Sequence, residues 1–439
     1  MVKFVYKQIP KNQPKKGAII IDGKGDRELF NHIYYLVKEN NRREDFRYFS
    51  LAEPDQSNTY NPLLHGNATE LKDKIIGSMP WSDEFYRKMA EQATLAVLQG
   101  LLKKYKIKPT KDKTGPSKAL QFRDLHDHLT QQHTLKALHD SISGDLELRQ
   151  DIRLMLRHFR DNPKFISGLM ADLYLTARSE FSWLVDVDDP DINLIEAYRT
   201  NQIIYFQLNL QGFGDTAKRF GRIILQDLRT VSSYIQSQLP ESKRHFFPIF
   251  IDDAATFLDI NFIDFLNKAR ASKFAITLLH QSPGDLVFHR APSFGQQVVE
   301  NTNIKIILRQ DHPESVEKMT KIGGTRKALI STYQTEENLL GKGLTGVGSI
   351  REGQEFRIEP DLIRALELGQ AAVIWKSPSM HTDFVKLDYI GHHEFYDDYK
   401  PIRKHPVSPE AHKRTFNDAD PLGKIREVKE PKKDEKNEA

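Results

Sequence analysis

Two adjacent carboxylates, Asp252 and Asp253, close an apolar run from Phe246 to Ile251, and a second apolar run, Phe274 to Leu279, closes on His280-Gln281-Ser282. Acids standing where a hidden strand surfaces suit the handling of a nucleoside triphosphate. Asp252 would hold Mg²⁺ through its coordinated water, Asp253 would orient or deprotonate the attacking water, and Gln281 would sense the terminal phosphate. The competing reading is that the acid pair caps the helix that follows. Gln281, at the tip of the neighbouring run, favours the nucleotide reading.

The elements that would position these residues follow from hydrophobic period. A run apolar on both faces, charged only where it emerges, reads as a buried parallel strand. Between the two runs, Phe262, Phe265, Leu266 and Ala269 recur at helical spacing. Strand, helix and strand make a βαβ unit that brings its polar ends to one sheet edge. Similar runs predict strands at Ala18–Ile21, Tyr48–Leu51, Gln202–Leu208, Ile304–Leu308 and Ala371–Trp375, the last closing the same sheet. The first delivers Asp22-Gly23-Lys24-Gly25-Asp26, a glycine-rich turn before a helix. Such a turn could cradle phosphate or could simply be tight. It matches neither GxxxxGK[ST] nor GxGxxG. Ser57–Leu63 (SNTYNPL) reads as a polar, turn-rich segment, and Gly341–Ser349 as a loop.

From about residue 81 to 180 the pattern is helical throughout. A helix over Ser82–Lys104 would set Phe85, Met89, Ala93, Ala96, Val97 and Leu101 on one face. Further on, Arg149, Arg153, Arg157, His158 and Arg160 cluster in one helical stretch. Arg149, Arg153 and Arg157 could touch a nucleic-acid backbone; the alternative is a solvated helical face. From about Tyr399 hydrophobic content falls away, which predicts a disordered charged tail over 399–439.

The totals bound these readings. The 439 residues carry 64 Lys and Arg against 60 Asp and Glu, so the net charge of +4 permits nucleic-acid contact without demanding it. No cysteine is present, which excludes disulfides and thiolate metal sites. No apolar run approaches the length of a membrane span, and the first residues lack the apolar centre of a signal peptide.

Six strings together resemble the TraD/TraG/TrwB family of type IV secretion coupling proteins, the hexameric DNA-pumping ATPases of conjugation: IIIDGKGD (19–26), SNTYNPL (57–63), WSDEFYRKMA (81–90), FPIFIDDAATF (247–257), LNKARASKFAITLLHQSPGDL (266–286) and ENTNIKIILRQ (300–310). The resemblance implies a RecA-like α/β P-loop NTPase core with an inserted all-α domain. The core would take 1–80 and 191–398, and the insertion 81–190. It implies ATP and Mg²⁺ as cofactors, with Asp252 at the metal-linked Walker B position. Asp253 stands where the family usually has a catalytic glutamate, one methylene longer, and Gln281 matches its strand-end glutamine. Arg270 would act in trans as an arginine finger, or would serve the helix dipole. The implied partners are single-stranded DNA, a relaxase with its relaxosome proteins, the secretion channel and five further copies, at the cytoplasmic face of the bacterial inner membrane.

Some 17 residues precede the first strand, and none forms the family's Walker A loop; its N-terminal membrane anchor is missing too. This predicts a fragment or a natural variant, with an exposed sheet edge or a gap where a strand is lacking. Two other functions fit the same residues: a catalytically inactive adaptor that docks substrates, and an FtsK-like translocase of duplex DNA.

Overall fold

The computed structural model describes residues 15–107, 118–287, 293–338, 341–388 and 399–406. Among the described residues ten strands form: β1 (Ala18–Asp22), β2 (Phe46–Ser50), β3 (Ile203–Gln207), β4 (Phe247–Ile251), β5 (Phe274–Leu278), β6 (Ile304–Ile307), β7 (Thr325–Asn338), β8 (Gly341–Phe356), β9 (Gln370–Trp375) and β10 (His381–Lys386). Five of them make one parallel sheet in the order β2-β3-β1-β4-β5. Every residue of β1, β3 and β4 is buried, as expected of continuous apolar runs. In the register of β4 and β5, Ile251 lies opposite Leu278, so the two strands end together.

Two compact units divide the chain. The first comprises 1–46, 208–211 and 231–398. Within it, β6 and β9 leave the large sheet. They pair antiparallel and, with β10, form a three-stranded sheet in the order β10-β9-β6, so β9 does not close the large sheet. Beneath this smaller sheet Ile307, Val316, Ile358, Ile363, Ala372 and Ile374 pack together. The stretch Gly341–Ser349 is not a loop but the first half of β8, paired antiparallel with β7. Glycine lowers strand propensity, so the local signal is outweighed by ladder pairing that the sequence period does not reveal.

The second unit comprises 47–207, 212–230 and 399–439. Its helices include Ala68–Ser78, Glu84–Lys104, Phe122–Thr130, Gln132–Ser141, Leu146–Asp161 and Ser167–Ala177, the helical character read from the sequence. Phe49, Tyr60 and Phe206 form an aromatic centre with ring centroids 5.1–6.0 Å apart, and Phe220 joins it at 6.0 Å from Phe49. The SNTYNPL segment is not a surface turn. Ser57, Asn58, Thr59 and Asn61 are all buried, because each finds partners. Thr59 donates its N–H and hydroxyl to Asp191, and Asn61 donates to the carbonyls of Leu120 and Val187.

The first residues of the expected tail are anchored here too. Tyr399 packs edge-on against Tyr48 at 5.6 Å, and Arg403 donates to the carbonyls of Asp55 and Ser57. Residues 407–439 lie outside the described residues. The anchoring rests on long-range partners, which composition alone does not disclose.

Asp186 is fully buried beside the start of the helix Phe122–Thr130. It accepts the Phe122 N–H at 2.9 Å, and the Arg123 guanidinium stands 4.0 Å away. Burial, only partly offset by Arg123, pushes its carboxyl up to about 7. A raised folded-state value means that stability is lost as pH rises from the unfolded carboxyl's range through 7. Asp186→Asn is therefore expected to stabilise the chain by roughly 4 kcal/mol at pH 8, about 1.4 kcal/mol for each unit of the rise, the gain vanishing below about pH 4. Urea midpoints at the two pH values check this, and a pH-independent difference would overturn it.

Candidate functional site

The acid pair stands at the end of β4, in the first unit. The ladder carries the chain one step past the strand: the Asp252 N–H donates to Ile21 O at 2.8 Å, and the Ala254 N–H to Leu279 O at 2.9 Å. Asp253 adopts the left-handed conformation (φ 50°, ψ 39°), a region that costs a non-glycine residue energy. Its side chain makes no capping hydrogen bond to the four-residue helix Ala254–Phe257. The capping alternative for Asp253 is thus not realised. Both carboxylates are half-buried.

Burial raises the Asp252 carboxyl above the usual carboxylate range, and the neighbouring Asp253 charge adds to the rise. The Asp253 N–H and the Lys24 ammonium oppose it. An anion disfavoured in this way gains from a cation placed beside it.

Gln281 lies at the same edge, beyond the end of β5, and is exposed. Asp285 fixes the backbone here: its carboxylate accepts the N–H groups of Gln281 and Ser282 at 3.0 and 2.7 Å. The Gln281 carbonyl in turn accepts the Gln310 side chain at 3.2 Å. Asp252, Asp253 and Gln281 are thus brought to one edge by two adjacent parallel strands. Arg270 is not. It ends the helix Phe262–Ala269, which runs back from that edge, and the backbone of Lys273 just after it starts the β4–β5 ladder with Phe247. It is exposed and has no acidic partner among the described residues.

The glycine-rich turn after β1 resolves towards its plain reading. Asp22 is buried, and its Oδ1 accepts the N–H groups of Lys24 and Gly25 at 2.9 and 3.0 Å. Those amides are thereby occupied and do not cradle phosphate. Gly25 has φ +75°, and a Cβ there would stand 2.7 Å from Asn209 Cβ, so only glycine fits. Lys24 and Gln310 are the residues that sequence reasoning missed. Gln310 follows the apolar run of β6 in the same way that Gln281 follows that of β5, a signal that was present.

These side chains fit the metal end of a Mg²⁺–nucleotide. Mg²⁺ keeps several waters and needs only one or two carboxylates beside the phosphates, which is what the Asp252 edge offers. The described residues do not supply the phosphate-holding amides. The large sheet ends at β5, whose side chains from Ala275 to Leu278 are only half-buried. The smaller sheet ends at β6, where Ile304 and Ile306 are 49% and 52% exposed.

Arg153 and Arg157 lie on the solvent face of the helix Leu146–Asp161, in the second unit. Arg149 is half-buried, with its Nε enclosed and lacking an acceptor. Among the described residues no helix is long and apolar enough to cross a membrane.

No protein-family model and no curated protein matches the sequence. Among solved structures, the chain is similar to the bacterial conjugative coupling protein TrwBΔN70 in an unbound form, at 14% identity and TM-score 0.57, covering 88% of this chain and 87% of that one. It is similar to the plasmid coupling protein TrwB in complex with ADP and Mg²⁺, at 13% identity and TM-score 0.52, covering 90% and 94%. VirB4 of Thermoanaerobacter pseudethanolicus matches at 15% identity and TM-score 0.50, covering 85% and 82%. At these identities the likeness establishes the fold: an α/β, RecA-like core with a helical part, the architecture of the type IV secretion coupling proteins.

Proposed function

We propose that the chain is the nucleotide-responsive part of a conjugative coupling protein, which brings a relaxase–DNA complex to a type IV secretion channel and helps to move single-stranded DNA. One observation carries this reading: Asp252, Asp253 and Gln281 meet at the ends of adjacent parallel strands in a fold shared with proteins solved with ADP and Mg²⁺. In this reading Asp252 holds the metal through water. Asp253 orients a water, with one methylene less reach than glutamate. Gln281 registers the terminal phosphate, and Arg270 answers to a neighbouring copy in a hexamer. Bound Mg²⁺ would neutralise phosphate charge. Arg149, Arg153 and Arg157 would meet the DNA backbone, and the assembly would stand at the cytoplasmic face of the inner membrane.

The occupied amides of the β1 turn favour a second reading, a catalytically inactive adaptor. Titration of the chain with Mg²⁺–ATP, then a turnover assay with and without single-stranded oligonucleotide, separates the two. DNA-stimulated turnover supports the first. Oligonucleotide binding with no nucleotide binding supports the adaptor. Stronger binding to duplex than to single strands favours an FtsK-like translocase.

A further inference from the structure

We propose that β5 and β6 bound a slot one strand wide, which takes an extended, apolar segment of a second polypeptide by main-chain pairing on both sides. This stands apart from the nucleotide reading. Both strands belong to the first unit, and their relation follows from the connections. The helix Phe262–Ala269 links β4 to β5 and packs on β5, and the helix Phe294–Asn301 links β5 to β6 and packs against the first helix. Right-handed crossovers on one face step the strands in one direction, so β6 stands beyond β5, on the side away from β4. The strand tips agree. Gln281 and Gln310 each stand three residues past their strand, and the Gln310 side chain donates to the Gln281 carbonyl at 3.2 Å. Yet β5 ends the large sheet and β6 ends the small one, and the two do not pair. Paired strands stand about 4.8 Å apart, whereas packed helices stand about 8–10 Å apart. Helices side by side, and tips bridged through a glutamine side chain, set β5 and β6 two strand spacings apart.

Backbone parity identifies the groups that face the slot. Lys273 O and the Leu279 N–H bond to β4, so Ile276 and Leu278, on the alternate parity, direct their N–H and C=O groups the other way. Asn303 O accepts the Lys376 N–H beyond the end of β9, so Ile304 and Ile306 point away from β9. Among the described residues these four have no backbone partner on that side. All four side chains are apolar, half-buried in β5 and exposed in β6. Unpaired main chain beside exposed isoleucine is a template for another strand. The occupant is set by composition. β1, β3 and β4 show what a strand covered on both faces contains, an unbroken apolar run. The parts of this sequence outside the described residues hold no four consecutive apolar residues, which disfavours both this chain and a second copy as the donor. A separate polypeptide with about five apolar residues in sequence fits.

The test uses the full chain and a fluorescein-labelled peptide of consecutive Val and Ile residues flanked by lysines, beside the same peptide with a central proline. Amide hydrogen exchange is expected to slow at Ile276, Leu278, Ile304 and Ile306 together when the first peptide binds. Anisotropy is expected to show the proline peptide about 10-fold weaker. Ile306→Pro removes an N–H that faces the slot and spares the ladder to β9. It should weaken the first peptide about 10-fold while the Lys305 and Ile307 amides stay protected. Should those two amides lose protection, Ile306→Lys serves instead, a charged edge that should weaken the peptide by a similar factor. Slowed exchange on one strand only would overturn the slot and leave ordinary edge pairing. Slow exchange at all four amides in the chain alone would also overturn it and assign the space to the chain's own residues. Protection that rises with chain concentration would assign it to a second copy. No protection at about 1 mM peptide would overturn it outright.

Discussion

Replacing Asp252 with alanine is expected to weaken Mg²⁺-dependent nucleotide binding by at least about 100-fold, close to 3 kcal/mol, while leaving the folded chain no less stable at neutral pH. The first half follows from position. Asp252 directly follows a fully buried strand, beside Asp253, and both residues stand at the edge where β4 and β5 end together. The second half follows from linkage. Burial holds the Asp252 carboxyl above its ordinary range, so its ionised form is disfavoured by folding. Wild-type stability therefore falls as pH rises through the carboxylate range, and removing the group removes that loss. Because the side chain is half exposed, the gain should stay below about 1 kcal/mol. Nucleotide titrations with and without Mg²⁺, beside thermal melts at pH 4 and 8, check both halves. Binding equal to that of wild type would end the metal assignment.

Asp227→Ala is expected to cost about 3–5 kcal/mol of folding stability, although Asp227 is not among the residues proposed to handle nucleotide. It answers Lys74, whose side chain is 1% exposed in the second unit. The Lys74 ammonium donates to Asp227 Oδ1 at 2.7 Å and to the carbonyls of Pro62 and His65 at 2.6 and 3.1 Å. The other Asp227 oxygen accepts the Tyr60 hydroxyl at 2.7 Å, and burial, then the Asp227 charge, keeps that hydroxyl protonated far above the phenol range. Removing the carboxylate strands a buried ammonium, which costs more than the pair contributes when intact. Lys74→Met combined with Asp227→Asn should recover most of the loss, since no charge remains and Tyr60 keeps an acceptor. Urea midpoints for the single and double variants measure it. A loss under about 1 kcal/mol in Asp227→Ala would show that water reaches the ammonium.

Legibility from sequence varied with the range of the forces involved. The β4 and β5 runs, their polar tips and the helix between them were readable because burial on both faces of a strand leaves an unbroken apolar string. The helix Glu84–Lys104 was readable by period, and the structure adds that Asp83 caps it by accepting the Phe85 N–H at 2.7 Å. The exposure of Phe85 was not, since period fixes a face but not whether a neighbour covers its last turn. Nor was β8 readable, a strand rich in glycine that exists by pairing with β7.

The order of residues alone therefore determined the α/β class, the pairing of two acids with a glutamine at strand tips, and the lack of a GxxxxGK[ST] loop. Tertiary structure alone decided that Asp22 occupies the turn amides, that β6 and β9 leave the large sheet, and that Arg270 stands at the far edge from Asp252. The difference is physical. Hydrophobic period is written locally, residue by residue, whereas which carboxylate meets which amide depends on backbone geometry and on contacts between segments distant in the chain.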